Sequence, residues 1–191
     1  MPSKFLPKVP TRSDASIFEK LKNESGWYEQ AKIKGQRLII VDGIAYDDIG
    51  QEFEGDTEQT LGSVVEELSC LFNEKIYDIV YIDRGQNIGK VALIDIPSVE
   101  KPYKLRHLII KASLPCASVN EPAIKYEPVV ALPSIELSTD RKKGELWKDM
   151  REFSDSLQDL PFSGVVLKHG DQLYQYQKEG NDKNKWWAVE F

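Results

Sequence analysis

Lys32, Lys34 and Arg37 fall within the short run "KIKGQR", just ahead of the apolar stretch Leu38-Ile39-Ile40-Val41. Cations gathered at the start of a strand have two uses. They solvate a sheet edge, as most lysines do, or one amine attacks a phosphate. For the second use the lysine must shed a proton from an ordinary value of about 10.4. Neighbouring positive charge and partial burial both lower such a value, and Lys34 and Arg37 are close enough in sequence to supply the charge.

The elements that would hold these residues follow from the apolar pattern. Residues 1–15 contain three prolines and mixed charge and read as an extended N-terminal arm; residues 16–191 read as a single domain. Ser16-Ile17-Phe18-Glu19 has the spacing of a capping box and predicts a short helix to about Asn23. Strands are expected over Trp27–Lys32 and Arg37–Val41, the latter ending at the hairpin signal Asp42-Gly43. Residues 46–58 read as an acidic loop. Leu61, Val64, Val65, Leu68, Leu71 and Phe72 recur at helical spacing, so 58–73 is an amphipathic helix whose apolar face includes Cys70 as core. A hairpin follows, Ile76–Ile82 and Lys90–Ile96, turning at Arg84-Gly85-Gln86-Asn87. Pro102 opens a helix carried by Tyr103, Leu105, Leu108 and Ile109. Prolines make 115–133 irregular, Leu146 to Leu157 form a last long helix, and strands close the chain at Gly164–Lys168, Leu173–Tyr176 and Trp186–Val189. Strands joined by hairpins rather than βαβ units imply an α+β class with mainly antiparallel sheets.

Composition narrows the functions. Apolar residues make up 41% and charged residues 29% of the 191, which is globular composition. No apolar run is long enough to span a bilayer, and "MPSKFLP" lacks the core of a signal peptide, so a cytoplasmic or nuclear setting without membrane contact is expected. Two cysteines and two histidines make a structural zinc site a poor fit. The net charge of −6 argues against broad nucleic-acid affinity. Local basic patches remain at Lys101, Lys104, Arg106, His107 and Lys111, and at Arg141, Lys142, Lys143 and Lys148. Each reads as a solvated face.

Four segments, taken in order, resemble the catalytic domain shared by ATP-dependent DNA and RNA ligases and mRNA capping enzymes. "KIKGQR" is similar to that family's Lys-x-Asp-Gly-x-Arg. "VALIDIPSVEKPYKLRHLI" resembles its strand ending in Phe-Asp, followed by a Pro-opened helix. "FSGVVLKHGDQLYQYQKEGNDKNKWWAV" follows the course of its last two motifs, Glu-Gly-(Val/Ile)-Val-x-Lys and Trp-x-Lys-x-Lys. The resemblance runs from about Tyr28 to Val189. It implies a nucleotidyltransferase fold of two mainly antiparallel β-sheets flanked by helices. It implies ATP or GTP as the nucleotide, with Mg²⁺ or Mn²⁺, and DNA or RNA ends as acceptors.

The resemblance also assigns roles. Lys32 is the catalytic position, its amine attacking the α-phosphate. Gln30 would lie near the base edge, Gly35 beside the sugar, and Arg37 on a ribose hydroxyl, a cross-strand charge role being equally open to it. Ile94 stands at the base-stacking Phe, Asp95 at the motif Asp, and Gly164 and Lys168 in the Glu-Gly-Val-Val-x-Lys segment.

Departures from the pattern are as informative. Lys34 replaces the motif aspartate. Asp78-Ile79-Val80 stands where Asp-Gly-Glu is usual, leaving Tyr77 or Asp78 as the nearest substitutes. Ser163 replaces an acidic residue that anchors a hydrated divalent cation, so no protein metal ligand is assigned. Ala188 and Glu190 fall where two phosphate-binding lysines belong; Lys183 and Lys185 lie in a solvated turn. The last strand ends just short of Phe191, so the domain is expected to act without the oligonucleotide-binding-fold domain that usually follows. Losing one preorganised charge partner costs about 10²–10³ in rate. The alternatives are therefore a catalytically degenerate nucleotide-, cap- or RNA-binding module, as in the snurportin cap-binding domain, or a scaffold for nucleic-acid-processing partners. A protein partner could supply the missing groups.

Overall fold

The computed structural model describes residues 6–21, 24–53, 58–83, 88–114, 129–132, 134–137, 162–174 and 186–190. Among these, two five-stranded sheets face each other. The first sheet takes the order β1-β10-β9-β2-β8, from strands Thr11–Ser13, Trp187–Glu190, Phe162–His169, Trp27–Ile33 and Ser134–Leu137. The second is β4-β3-β5-β6-β7, from Ile44–Tyr46, Gln36–Val41, Ile76–Tyr81, Val91–Asp95 and Val129–Ala131. Only β1 with β10 and β6 with β7 pair in parallel; the remaining pairs are antiparallel, the α+β arrangement expected from hairpin-linked strands.

One core cluster joins Ile17, Phe18 and Leu21 to Trp27, Ala31, Ile33, Val165, Leu167 and Val189, and these to Val80, Ala92, Ile94 and Val130 of the second sheet, with Ile82 and Leu132 just past its strands. A second cluster lays α2 (Glu58–Phe72) through Leu61, Val64 and Leu68, and α3 (Tyr103–Ser113) through Ile110, against Leu38, Ile40, Ile79 and Leu93. Asn73, at φ 50°, ends α2 in the left-handed region. Asp42 and Gly43 both take positive φ and turn β3 into β4, as the Asp-Gly signal requires.

Several expectations need correction. Helix α1 (Ser16–Lys20) has no side-chain cap; the Ser16 N–H goes to Asp14 Oδ1 at 2.8 Å, so the Ser16–Glu19 capping box does not form. Cys70 is exposed, on the rim of α2 rather than in its buried stripe. Helix α3 buries Tyr103, Arg106, His107 and Ile110, while Leu105 and Leu108 are 39% and 60% exposed. Two members of the supposedly solvated basic patch, Arg106 and His107, are therefore core residues. Strand β4 ends at Tyr46, where the acidic loop is expected to begin; β7 falls inside the proline-rich segment and β8 just after it, strands too short to announce themselves. Leu173 and Tyr174 are not in a strand. The Arg84–Asn87 turn, Cys116, the helix from Leu146 to Leu157, the Arg141–Lys148 patch, Tyr176, Lys183 and Lys185 lie outside the described residues. No described helix is long and apolar enough to cross a membrane.

Candidate functional site

The site is set by register. In β2, β9 and β10, Lys32 stands opposite Gly164, and Gly164 opposite Glu190. One step further, Gln30, Val166 and Ala188 form a second row. Tyr28 and Lys168 begin a third row, with the Trp186 ring 4.1 Å from Lys168 Nζ. Residues directly opposite share a face, and alternate residues repeat about every 7 Å. Lys32 and Lys168 thus sit on one surface, at its two ends.

Because Gly164 has no side chain, Lys32 and Glu190 meet across it. Lys32 Nζ lies 2.7 Å from Glu190 Oε1 and 3.4 Å from Ser163 Oγ, in a partly exposed ion pair. The Glu190 carboxyl is held below its ordinary value by the hydrogen bond and charge of Lys32. Gly164 is required on its own account. Its φ is +149°, and a Cβ there would stand 2.1 Å from the Val189 carbonyl oxygen and 2.9 Å from Glu190 Cα. Gly164→Ala is expected to push β10 outward and cost on the order of 1–3 kcal/mol, read as a lower denaturation midpoint.

Opposite this surface, β3, β5 and β6 contribute Arg37, Val80 and Ile94. Between the two sheets lies a cavity of about 230 Å³, lined by Gln30, Lys32, Gly35, Arg37, Ile94 and Lys168 among others. Six of the seven expected site residues are therefore brought together. Gly164 does not line the cavity; it spaces the Lys32–Glu190 pair.

The environments differ from the expectations in detail. Arg37 gives Nε and Nη2 to Asp78 at 3.0 and 2.6 Å, and Nη1 to the Lys8 carbonyl at 2.6 Å. Burial opposes its charge, but the Asp78 carboxylate outweighs this and raises its pKa. Asp78, which also accepts the Tyr174 hydroxyl at 2.7 Å, is fully buried as the partner of Arg37, so its carboxylate is not open to a ribose or a metal. The charge expected from Arg37 beside Lys32 is thus directed away from it. Gly35, at φ +158°, would bring a Cβ within 2.4 Å of the Tyr81 carbonyl oxygen, so its close approach is to β5. Gln30 donates Nε2 to the Ile94 carbonyl at 3.2 Å, which leaves its second amide N–H and its amide oxygen for a ligand.

Lys168 is fully buried, its Nζ 4.1 Å from the Trp186 ring and 4.7 Å from the Tyr103 ring. It has no hydrogen-bond partner among the described residues. Desolvation pushes its amine down to about 7, against the attraction of Asp95 and Asp78.

Residues that sequence reasoning did not single out complete the site. Val166 shares the cavity with Ile94, Val80 and Leu132, and Pro7, Val9 and Pro10 of the N-terminal arm line it as well. Val166 could have been found by alternation from Gly164; the arm carries no sequence signal. Ser163 supplies a hydroxyl where a cation anchor would need a carboxylate, and Glu190 is engaged by Lys32. No three His, Cys, Asp or Glu side chains come together among the described residues to hold a metal. Among the described residues, the donor set does not fit a protein-bound divalent ion.

The two facing sheets have the nucleotidyltransferase fold of ATP-dependent DNA ligases. The ligase domain of LigD from M. tuberculosis matches with a TM-score of 0.66 at 13% identity, over 98% of this chain and 60% of that one. The ATP-dependent DNA ligase of bacteriophage T7, solved in complex with ATP, matches at 0.59 and 13% identity, over 100% of this chain and 70% of that one. Chlorella virus DNA ligase-adenylate matches at 0.59 and 14% identity, over 97% and 67%. The chain thus spans 60% of the LigD ligase domain, and at these identities the likeness is one of fold. No protein-family model matches the chain, and no curated protein matches it either.

Proposed function

We propose that the chain is a ligase-like nucleotidyltransferase module that binds ATP, before GTP, in the cavity between its sheets, with the Lys32 amine toward the α-phosphate. The observation that carries this reading is the convergence of Gln30, Lys32, Gly35, Arg37, Ile94 and Lys168 on one cavity in a fold shared with ATP-dependent ligases. Ile94 and Val166 offer aliphatic surface to the faces of a purine. The amide oxygen of Gln30 can accept from the amino group of adenine. In the covalent step Lys32 Nζ bonds to the α-phosphorus. The bond from that phosphorus to the bridging oxygen breaks, pyrophosphate leaves with the electron pair, and the amine releases protons to solvent. A DNA or RNA end is the acceptor that goes with this chemistry, in a cytoplasmic or nuclear setting.

A second reading, nucleotide binding without transfer, is favoured by the Lys32–Glu190 pair. An amine engaged by a carboxylate is a poor nucleophile, and Ala188 and Glu190 leave the phosphate end without its lysines. A protein partner would then supply the missing cations, or the domain would act as a scaffold.

Incubation with α-labelled ATP or GTP and Mg²⁺ or Mn²⁺ separates these readings. Transfer predicts an acid-labile, alkali-stable adduct that disappears in Lys32→Ala, survives in Lys34→Ala and grows several-fold in Glu190→Gln. Nucleotide binding by calorimetry without any adduct selects the second reading. Neither binding nor adduct in the folded protein overturns both.

A further inference from the structure

We infer that Pro7–Pro10 is a strap lying across the nucleotide cavity, which a bound nucleotide must displace; this rests on the nucleotide reading of that cavity. Pro7 is buried, and Pro7, Val9 and Pro10 line the same space as Gln30, Lys32 and Ile94. Between them, the Lys8 carbonyl accepts Arg37 Nη1 at 2.6 Å, the donor that would otherwise face a ligand hydroxyl. The Lys8 N–H donates to the Tyr174 hydroxyl at 3.3 Å, and its ammonium lies 5.2 Å from the Trp186 ring. The chain's own backbone thus fills hydrogen-bonding positions at the wall of the site.

Size supports the same conclusion. Small-molecule pockets run from about 300 Å³ upward, and the cavity with the strap in place is about 230 Å³. That space suits a base; a whole nucleotide needs the strap to move. Beyond Lys8 the hold on the strap is light. It continues into β1, an edge strand of three residues paired in parallel with β10 and tied at its start by Thr11 N–H to the Trp186 carbonyl at 2.8 Å. Short edge elements with few buried contacts open at the low end of local stability. A ligand that binds only the open form has its apparent affinity reduced by the open fraction.

The test uses the full chain. Thr11→Pro removes the N–H that ties the strap, at the first residue of an edge strand, where proline is tolerated. ATP is titrated calorimetrically into both proteins, and amide exchange at Thr11 is followed in the unaltered protein with and without ATP. The variant is expected to bind ATP about fivefold more tightly, the loss of one hydrogen bond's hold, and ATP is expected to accelerate exchange at Thr11. Equal affinities with unchanged exchange overturn the strap and leave the nucleotide site standing. ATP binding to neither protein overturns the site itself and the strap with it. The exchange arm decides even if the variant folds poorly, because it needs no substitution.

Discussion

Asp95→Ala is expected to lower the unfolding free energy by about 3–5 kcal/mol, read as a drop in the denaturant midpoint at unchanged slope. Asp95 closes β6 and is fully buried; it holds Arg106 of α3 through Nε–Oδ1 at 2.7 Å and Nη2–Oδ2 at 2.9 Å. Arg106 continues to the carbonyls of Lys101 and Gln172, and so ties β6, α3 and the segment after β9 into one network. Without the carboxylate, a guanidinium remains in the core with only carbonyls and ring faces around it. Replacing both partners with apolar residues of similar volume, Asp95→Leu with Arg106→Met, is expected to cost far less than the single change, because no charge is then stranded. A single variant within about 1 kcal/mol of the unaltered protein would show that water reaches Arg106. The pair also gives an acid dependence. Burial raises the Asp95 pKa, but Arg106 outweighs burial and holds it below its ordinary value. The stability it confers is full above the unfolded carboxyl range and is lost as pH falls through the lowered value.

That same pair shows what the sequence can and cannot disclose. Strands β2, β3, β5, β6 and β9 are legible as short apolar runs bounded by turn signals, and helix α2 because its apolar residues repeat at period 3.6. Helix α3 has the right period too: Tyr103, Arg106, His107 and Ile110 fall at i, i+3, i+4 and i+7. The face is misread because two of its four residues are charged or polar. Their burial depends on Asp95, eleven positions earlier, and on the packing of Tyr28 beside His107. A hydrophobic pattern has no way to credit a residue whose partner lies in another element. The site divides in the same way. Motif spacing puts Lys32, Gly35 and Arg37 around one β2–β3 connection and Lys168 on a later strand. What neutralises each cation depends on register. Lys32 finds Glu190 only because three strands align on a glycine, and Arg37 finds Asp78 two pairs along from its direct partner Val80. The arm is the extreme case, for nothing in "PKVP" says that it lies across a cavity.

Lys168→Met is expected to stabilise the protein by on the order of 2–3 kcal/mol near pH 6 and to lose that advantage by about pH 10.5. Folding lowers the Lys168 pKa from 10.5 to about 7, chiefly by desolvation. Between those values the unfolded chain binds a proton that the folded chain does not, so raising the pH favours the fold. Below about 7 both forms carry the proton, and the folded state bears the full cost of a buried ammonium. Contacts with the Trp186 and Tyr103 rings return part of that cost, which keeps the expected gain below the full linkage value. Lys8, lowered to about 8, and His107, lowered to about 4, act with the same sign, so the variant keeps a shallower rise of stability with pH. Denaturant titrations of both proteins at pH 6, 8 and 10 measure the difference; a constant gap would mean that Lys168 is charged to the same extent folded and unfolded. The ATP affinity of the variant gives that gap its meaning. If Lys168→Met is more stable yet binds ATP at least tenfold more weakly, the buried amine is a strained group held for a ligand. If it is more stable and binds equally well, Lys168 is a packing residue between two aromatic rings, and the binding chemistry lies wholly at the Lys32 end of the cavity.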